Sequence, residues 1–320
     1  MAVIKPWIKA ARLRTLPLAT SCVLIGAALA VSEDPSVAAT SQFPLVVFGA
    51  LTTVVLLQVL ANFANDYGDF TKGTDLAANR QDRALTSGEL SPDDMKKAMV
   101  VAAIAALLLG IGTLLAAFVP GAVAGADDSS WEGAKMGALG AMGVAGIVAA
   151  FRYTVGKQSY GYKGFGDVYV MLFFGFVGVM GVGLLVAHHV VWPWTLPALF
   201  SGCMSVAVLN LNNLRDHESD GIAGKNTVVV RLGFRNGKVY HTALLLTGWT
   251  ALGVFFFLHS DNGTWRGTMW YGLIALLHAR HAVDVWKCQT PKLLDPELKR
   301  IALSTFLVAL FMFMDQTLHP

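Results

Sequence analysis

Long apolar stretches recur along the chain, and short segments rich in polar and charged residues separate them. Each stretch approaches the ~20 residues that an α-helix needs to cross a hydrocarbon core about 30 Å thick. We therefore predict nine transmembrane helices, near Leu16–Ser32, Phe43–Ala64, Ala98–Pro120, Lys135–Phe151, Val168–Ala187, Trp194–Leu211, Thr242–Leu258, Gly267–Val283 and Ile301–Met314. The fold class that follows is an all-α polytopic membrane protein, with residues 1–320 forming a single domain.

The composition agrees with this class. Charged residues make up only 14% of the 320 residues, whereas soluble domains carry about 25%, and the mean hydropathy is +0.55. The three cysteines, Cys22, Cys203 and Cys288, lie in separate segments, which argues against a disulfide framework or a zinc ribbon. No basic stripe lies on a soluble module, so we expect no nucleic-acid partner.

The basic residues are distributed unequally between the two sides of the predicted bundle. Of the 24 lysine and arginine residues, 22 precede the first span or lie in loops on its side. Because positively charged loops stay in the cytoplasm, we expect the N-terminus and the cap loops near residues 67–97, 152–167 and 214–240 there. An odd number of spans then places the C-terminus outside the inner (plasma) membrane.

The first span has an alternative interpretation. Basic residues followed by Leu16–Ala30, which ends in Ala28-Leu29-Ala30, also fit a cleaved signal peptide. Cleavage would leave eight spans without changing the charge bias of the later loops. We favour a retained first helix.

Glycine recurs at every third position in two of the predicted spans. Small residues at this spacing let helices approach closely in lipid, where the hydrophobic effect does not drive helix association. We expect close helix packing at both rows, which are Gly137, Gly140, Gly143 and Gly146 in the fourth span and Gly175, Gly178 and Gly181 in the fifth.

Acidic and amide side chains collect at the ends of two predicted spans. Their spacing of three or four residues places each set on one face of a helix. The first set is Asn62, Asp66 and Asp69, and the second is Asn212, Asp216 and Asp220. Because both spans run toward the cytoplasm and lie four spans apart, we predict two parallel four-helix pseudo-repeats around a central cavity.

These carboxylates predict a cation. Carboxylates at the edge of a bilayer are costly and repel one another, so they require a counter-charge. Oxygen ligands without clustered cysteine or histidine favour Mg²⁺, which is commonly shared with substrate phosphates. A solvated helix end is the simpler interpretation of one set alone. Two matching sets favour a diphosphate site, because cationic side chains flank them: Arg83, Lys157, Arg215 and Lys225.

Longer stretches around these residues carry a resemblance to a known family. They are Arg14–Pro17, Asn62–Asp75, Arg83–Gly88, Tyr153–Asp167 and Asn212–Gly233. Through them the chain resembles the UbiA superfamily of intramembrane aromatic prenyltransferases, and within it the 1,4-dihydroxy-2-naphthoate polyprenyltransferases. The resemblance implies transfer of a polyprenyl group from its diphosphate to dihydroxynaphthoate, with loss of CO2 and diphosphate, giving demethylmenaquinone.

The resemblance also implies roles for the matched residues. The residues that would hold two Mg²⁺ ions on the diphosphate are Asp66, Asp69, Asp75, Asp216 and Asp220. The implied catalytic residues are Asp66, Asp69, Asp216 and Asp220 together with Tyr153 and Lys157. The implied substrate-binding residues are Asn62, Asn65, Arg14, Arg83, Asn212, Arg215, Lys225 and Tyr160. The segment around Arg80 departs from the family pattern, and no role is assigned to that arginine.

The implied partners are polyprenyl diphosphate, dihydroxynaphthoate and the lipid bilayer, without an obligate protein partner. Three alternatives stay open: a related enzyme acting on 4-hydroxybenzoate, a cation-coupled transporter, and a CDP-alcohol phosphotransferase. A transporter predicts broken helices and acids near the bilayer midplane. The phosphotransferase requires a motif that is absent here, because Ile-Ala-Gly-Lys follows Asp220-Gly221.

Two further groups of residues have competing interpretations. Arg14 would bind the carboxylate of the aromatic acceptor, or would anchor the chain at the membrane surface. His278, His281 and Asp284 share a helix face, which is compatible with a transition-metal site. We favour satisfied or solvated histidines there, because isolated histidine pairs at a membrane interface are mostly of that kind.

Overall fold

The computed structural model describes residues 4–77, 80, 83–118, 129–259 and 268–318. Within these ranges the chain is helical apart from its connections and contains no β-strand, so the all-α prediction is confirmed. The helices are α1 (Ile4–Ala11), α2 (Leu16–Glu33), α3 (Phe43–Thr71), α4 (Thr74–Ala77), α5 (Pro92–Phe118), α6 (Ser129–Arg152), α7 (Gly166–Val170), α8 (Gly181–Ala187), α9 (Thr195–Ile222), α10 (Val228–Leu258), α11 (Thr268–Lys287) and α12 (Asp295–Leu318). A π-helical stretch, Met171–Met180, joins α7 to α8.

Eight stretches of the described chain are long and apolar enough to cross a membrane. They are Ile4–Glu33, Phe43–Thr71, Pro92–Phe118, Trp131–Arg152, Gly166–Ala187, Trp192–Ile222, Val228–Leu258 and Pro291–Leu318. Helix α11, which corresponds to the predicted eighth span, falls outside this group. The count of nine spans therefore stays a prediction, and so do the two parallel four-helix repeats.

Polar side chains on α11 contact α10 and α12, the helices that precede and follow it in the sequence. The His281 Nε2 atom lies 2.9 Å from His241 Nε2 on α10, and its Nδ1 atom lies 2.5 Å from Glu297 Oε2 on α12. The His278 Nε2 atom lies 2.5 Å from Ser304 Oγ on α12. Both α11 histidines are buried. The interpretation of these histidines as satisfied groups agrees with these contacts, and no group of three metal-ligating side chains is found among the residues described.

Two helices continue further toward the basic loops than the apolar pattern predicted. Helix α3 ends at Thr71 rather than near Ala64, and α9 ends at Ile222 rather than near Leu211. The prediction placed each helix end where the sequence becomes polar, but the helices continue for roughly two to three turns beyond that point. Parts of the predicted cap loops are consequently helical, and both acidic segments lie on helix surfaces. The predicted span ends Pro120 and Gly267 lie outside the described residues.

Helices α2 and α9 lie in the centre of the bundle, where most of their side chains are buried. Glycine allows close contact there, since a Cβ on Gly26 of α2 would lie 2.4 Å from the Val179 carbonyl oxygen. The predicted close packing of the fifth span is confirmed at Gly178, where a Cβ would lie 2.7 Å from Cys22 Sγ. The expectation for α6 is wrong, because a Cβ on Gly137 or Gly143 would meet no atom within 4 Å.

We expect His281→Ala to lower the stability of the protein. The variant leaves the Nε2 atom of buried His241 without this partner, and an unpaired buried polar group costs about 1–3 kcal/mol. The measurement is the apparent melting temperature in detergent. The control is His189→Ala, which removes an exposed histidine. Equal melting of the two variants would contradict a stabilising role for the α11 contacts.

Candidate active site

The last turns of α3 and α9 lie on opposite sides of one polar chamber. The chamber has a volume of about 90 Å³, and it is lined by Arg12, Asn65, Asp69, Thr74, Asp75, Arg80, Arg83, Tyr153, Leu209, Asn212, Asn213, Arg215, Asp216, Ser219, Asp220 and Lys225. The two acidic segments, although 150 positions apart in sequence, therefore contribute to the same small volume. The predicted convergence of these segments is what the structure shows.

Arginines neutralise the innermost carboxylate of the first segment. Asp66 is buried and forms an ion pair with Arg12, while Arg83 Nη1 donates to the same Oδ1 atom from 3.4 Å. Burial, followed by repulsion from Arg12, lowers the pKa of Arg83 to about 10, so its guanidinium remains charged at neutral pH. Asp66 does not line the chamber; it lies behind Arg12.

Asp216 of the second segment is held in the same manner. The Arg215 guanidinium donates from Nε to Oδ1 at 2.9 Å and from Nη2 to Oδ2 at 2.7 Å. Arg80 Nη1, from the loop that follows α4, donates to Oδ2 at 2.8 Å. Two parallel hydrogen bonds from one arginine fix the plane of the carboxylate as well as its charge.

Lys225 joins the two acidic segments. Its Nζ atom lies 3.7 Å from Asp69 Oδ2 and 3.8 Å from Asp220 Oδ1. Burial acts to lower the pKa of Lys225, but these two carboxylates outweigh it and the pKa is raised. The backbone reaches this position through Gly224, whose φ of 73° favours glycine. A charged lysine is thus fixed between the carboxylates of α3 and α9.

Asp69 has a second partner on the loop that follows α6. The Tyr162 hydroxyl donates to Asp69 Oδ1 at 2.7 Å and lies 2.5 Å from Thr74 Oγ1. The Lys72 ammonium lies 3.7 Å from the centre of the same tyrosine ring, which is a cation–π distance. Tyr162 consequently orients one of the chamber carboxylates.

Asp75 is the carboxylate without sufficient counter-charge. It is buried, and its Oδ2 atom has no hydrogen-bond partner among the described residues. Burial, and after it the neighbouring Asp69 carboxylate, raises the pKa of Asp75 to about 6. An unpaired buried oxygen beside other hard oxygen donors fits a divalent cation of the Mg²⁺ type. The donors that line the chamber are Asp69, Asp75, Asp216 and Asp220, with the amides of Asn65 and Asn212.

Arginine and lysine side chains contact most of these donors. No three acidic, histidine or cysteine side chains among the described residues converge closely enough to hold an ion as they stand. The side chains of Arg80 and Arg215 occupy the oxygens of Asp216, and Lys225 lies between Asp69 and Asp220. A metal ion would therefore bind here by replacing contacts that arginine and lysine now make.

An apolar cavity of about 380 Å³ adjoins the polar chamber within the membrane-spanning part. The two spaces share Arg12, Asn65, Tyr153, Leu209 and Asn212 as lining residues. The remainder of the apolar cavity is lined mainly by aliphatic and aromatic side chains, among them Leu57, Leu139, Phe173, Phe174, Val177 and Leu185. A charged group can therefore bind at one end while an attached hydrocarbon chain lies along the other.

Part of the apolar wall is unusual in its backbone. Phe173, Phe174 and Val177 belong to the π-helical stretch, in which the helix is wider than an α-helix. Such stretches frequently occur at functional sites. The stretch also packs against α9, the helix that carries Asp216, and both elements line the cavity.

Tyrosines surround the junction of the two cavities. The rings of Tyr153 and Tyr160 lie edge to face at 5.4 Å, and Tyr160 stacks on Tyr169 at 3.8 Å. The Tyr160 hydroxyl donates to the Ala149 carbonyl at 2.8 Å. Burial raises the pKa of Tyr153 to about 12, so its hydroxyl stays protonated at neutral pH. Tyr153 is thus a neutral aromatic group that faces both spaces.

Most of the residues predicted from the sequence lie around these two spaces. Those lining the polar chamber are Asn65, Asp69, Asp75, Arg83, Tyr153, Asn212, Arg215, Asp216, Asp220 and Lys225. Asn62 and Tyr160 line the apolar cavity. Asn62 is also structural, because its Nδ2 atom donates to the Ala11 carbonyl at 2.8 Å and to Thr15 Oγ1 at 3.0 Å.

Three predicted residues line neither space: Asp66, which pairs with Arg12 and Arg83, and also Lys157 and Arg14. Lys157 is exposed on the loop after α6 and lines neither of them. Arg14 also lines neither, and its Nη1 atom donates to the two carboxylate oxygens of Asp295 at 3.0 and 2.9 Å. The structure therefore does not bring Lys157 or Arg14 to the chamber.

The sequence did not single out Arg12, Arg80 or Tyr162 as site residues. Arg12 belongs to the same basic cluster as Arg14, but the backbone breaks between α1 and α2 with Arg12 at φ 49°, and this turns its side chain toward Asp66. Arg80 comes from a loop whose pattern departs from the family. Tyr67, Tyr160 and Tyr162 are all compatible with the lining of an aromatic pocket, but tyrosines near a membrane interface more commonly form an interfacial belt.

Comparison with known proteins assigns the family. The model of the UbiA prenyltransferase family matches residues 19–126 and 137–295, which is most of the chain. The chain belongs to the UbiA prenyltransferase family. As a UbiA protein with multiple apolar helices, it is a multi-pass membrane protein.

Relatives with curated names agree with this assignment. A 1,4-dihydroxy-2-naphthoate octaprenyltransferase of Haemophilus influenzae is 38% identical over 95% of this chain and 93% of its own length. The enzyme of the same name from Escherichia coli is 37% identical over 97% of this chain and 96% of its own. A solved structure described as digeranylgeranylglyceryl phosphate synthase has a TM-score of 0.58 at 16% identity and covers 99% of both chains, which supports the fold alone.

We expect Asp75→Asn to raise the melting temperature of this UbiA protein at about pH 7.5 in the presence of a chelator. Because the folded state raises the pKa of Asp75 to about 6, it disfavours the ionised form, and stability is lost as the pH rises through that value. Asparagine cannot ionise and avoids this loss. At about pH 4.5 most of the difference should disappear.

A matched control for this experiment is Asp93→Asn. Asp93 is fully exposed, and a hydrogen bond from Lys96 lowers its pKa, so its neutralisation should not stabilise the fold. If Asp75→Asn melts at or below the wild-type temperature at about pH 7.5, the ionised Asp75 carboxylate does not destabilise the fold, and the expectation is wrong.

Proposed function

We propose that this protein transfers a polyprenyl group from polyprenyl diphosphate to 1,4-dihydroxy-2-naphthoate, with loss of CO2 and diphosphate, to give demethylmenaquinol, the reduced form of demethylmenaquinone. The names of the relatives support the choice of acceptor. The observation that carries the proposal is the junction of a cationic, carboxylate-lined chamber with an apolar cavity. Asn65, Tyr153 and Asn212 line both spaces at that junction.

The polar chamber suits the diphosphate end of the donor. Arg12, Arg80, Arg83, Arg215 and Lys225 all line it, and arginine guanidinium groups form bidentate hydrogen bonds with phosphate oxygens. Negative charge grows on the diphosphate as the bond to the prenyl carbon breaks. Fixed cations close to that charge lower the barrier because they stabilise the transition state more than the bound substrate.

Enzymes of this family generally use divalent metal ions, and we propose that two Mg²⁺ ions serve this protein. When bound, Mg²⁺ would neutralise part of the charge on the departing diphosphate. The residues that would hold it are Asp69, Asp75, Asp216 and Asp220, which line the chamber. Asp66 is proposed on the ground of its family motif alone, because it pairs with Arg12 and Arg83 and does not line the chamber. The free Oδ2 atom of Asp75 supports this assignment.

The apolar cavity suits the isoprenoid and the reacting carbon. An allylic cation reacts with water unless water is excluded, and the cavity wall offers it mainly hydrocarbon and aromatic side chains. The neutral ring of Tyr153 lies at the junction, where an aromatic face can stabilise a developing cation. The electron-rich dihydroxynaphthoate ring then attacks the cation, and loss of CO2 and of a proton restores aromaticity.

The carboxylate of the acceptor requires a cationic partner. The sequence pointed to Arg14, but that side chain is paired with Asp295 outside the chamber. Arg12 lines both spaces and is better placed to meet an anionic group at the junction. The family motif is the only support for a catalytic role of Lys157, because the position of this exposed side chain outside the chamber argues against one.

The structural features do not favour a cation-coupled transporter. Helices α3 and α9 run unbroken through the bilayer region, and their acidic residues lie in the last turns rather than near the middle. We propose that the single domain of residues 1–320 lies in the inner membrane, with the chamber, the N-terminus and the cap loops on the cytoplasmic side. The C-terminus then lies outside.

The proposed reaction can be tested with the purified protein, Mg²⁺ and a prenyl diphosphate. We expect conversion of 1,4-dihydroxy-2-naphthoate to demethylmenaquinol, measured by chromatography as demethylmenaquinone after oxidation in air, and little conversion of 4-hydroxybenzoate. Asp216→Asn should lower the rate at least ~100-fold, because it weakens the binding of cations around the diphosphate. Preferential use of 4-hydroxybenzoate would instead assign the alternative acceptor, and full activity of Asp216→Asn would overturn the site.

Two lysines provide a paired test of the chamber. Lys225→Gln removes the cation between Asp69 and Asp220, and we expect a loss of kcat/KM of about 100-fold or more. Lys157→Gln changes an exposed side chain outside the chamber, so a loss below roughly fivefold is expected from this geometry. A larger effect at Lys157 than at Lys225 would show that the loop after α6 moves into the chamber with substrate.

A further inference from the structure

Asp295, the first residue of α12, contacts the chamber-lining residue Arg215 from outside the chamber. Asp295 does not line either cavity, yet its Oδ1 atom accepts a hydrogen bond from Arg215 Nη1 at 2.5 Å. The same carboxylate accepts from Arg14 Nη1. Asp295 is half-exposed, whereas the Arg215 side chain is buried, so the contact joins the protein surface to a buried cation.

Arg215 is fixed on all sides. Its Nε and Nη2 atoms donate to Asp216, and Nη2 also donates to Asn212 Oδ1 at 3.0 Å. Nη1 is therefore the nitrogen that is left for Asp295, and each nitrogen of the guanidinium group has a carboxylate acceptor. The plane of the guanidinium group is set jointly by α9, which carries Arg215, and by the first turn of α12.

We propose that Asp295 is a positioning residue that holds Arg215 in place for the binding of the diphosphate and its cations at Asp216. The proposal deepens the proposed function and rests on it. Asp216 must exchange part of its contact with arginine when a cation binds. Arg215 donates to Asp295 as well as to Asp216, so its interaction with Asp216 is weaker than it would be with Asp216 alone. The contact with Asp295 also keeps the guanidinium group at the chamber wall.

Loss of the Asp295 charge has a defined consequence. Arg215 would retain Asp216 as its only anionic partner, and the pair would become harder to separate. A cation that binds at Asp216 would then have to displace Arg215 from a tighter pair. The binding of pyrophosphate with Mg²⁺ should therefore weaken, while the reacting groups, which Asp295 does not touch, stay unchanged.

The test compares the variant Asp295→Asn with the wild type by isothermal titration calorimetry of inorganic pyrophosphate in excess Mg²⁺. We expect about tenfold weaker binding, the size of effect that follows from changing one hydrogen bond to a charged group. The KM for prenyl diphosphate should rise by the same factor, with kcat within about threefold of wild type. Asp295→Glu, which restores the charge, should recover most of the affinity.

A matched control is available on the neighbouring helix. Asp284 on α11 also pairs with two arginines, Arg280 at 3.3 Å and Arg300 at 2.9 Å, but it has no contact with the chamber residues. Asp284→Asn makes the same chemical change and should leave pyrophosphate affinity unaltered. The melting temperatures of both variants separate a general loss of stability from a loss of binding.

The possible outcomes distinguish failure of the positioning role of Asp295 from failure of the proposed function. Wild-type affinity in Asp295→Asn, or equal weakening in Asp284→Asn, would overturn the positioning role while leaving the proposed function intact. A fall in kcat alone, with unchanged affinity, would also overturn it. Absence of pyrophosphate binding by the wild-type protein would overturn the proposed function and this inference together.

Discussion

The structure depends on the balance between carboxylates and cations where α3 and α9 leave the apolar part of the bundle. Buried or half-buried acids repel one another and are costly near hydrocarbon unless they are paired. Here Arg12 and Arg83 neutralise Asp66, Arg80 and Arg215 neutralise Asp216, and Lys225 joins the two helices. The folded chain thus supplies its own counter-charges at the place where a metal–diphosphate substrate has to bind.

The apolar pattern was sufficient for the helical class and for the approximate position of most spans. It was insufficient for helix ends, because the α3 and α9 helices persist after their sequences become polar, and the side chains there are stabilised by the chamber contacts rather than by lipid. The pattern also predicts α11 as a span, which stays a prediction. Its polar residues are satisfied by residues of α10 and α12, which hydrophobicity along one segment does not reveal.

The acidic residues were easier to find from sequence than their basic partners. Helical spacing alone places Asp66 with Asp69 and Asp216 with Asp220. In contrast, Arg12 and Arg14 look equivalent in the sequence, and only the left-handed backbone at Arg12 turns one inward while Asp295 retains the other. Lys157 and Lys225 differ for a similar reason, since the turn at Gly224 brings Lys225 between the aspartates.

The contacts of α11 bear on how the chain enters the membrane during synthesis. As this helix leaves the ribosome, His241 has already been made, but Glu297 and Ser304 have not. Until they emerge, the insertion machinery meets a segment whose histidines lack half of their final partners, and its transfer into lipid is correspondingly unfavourable. For α11 as a predicted span, we therefore expect entry as a hairpin with α12 to be more favourable than entry alone.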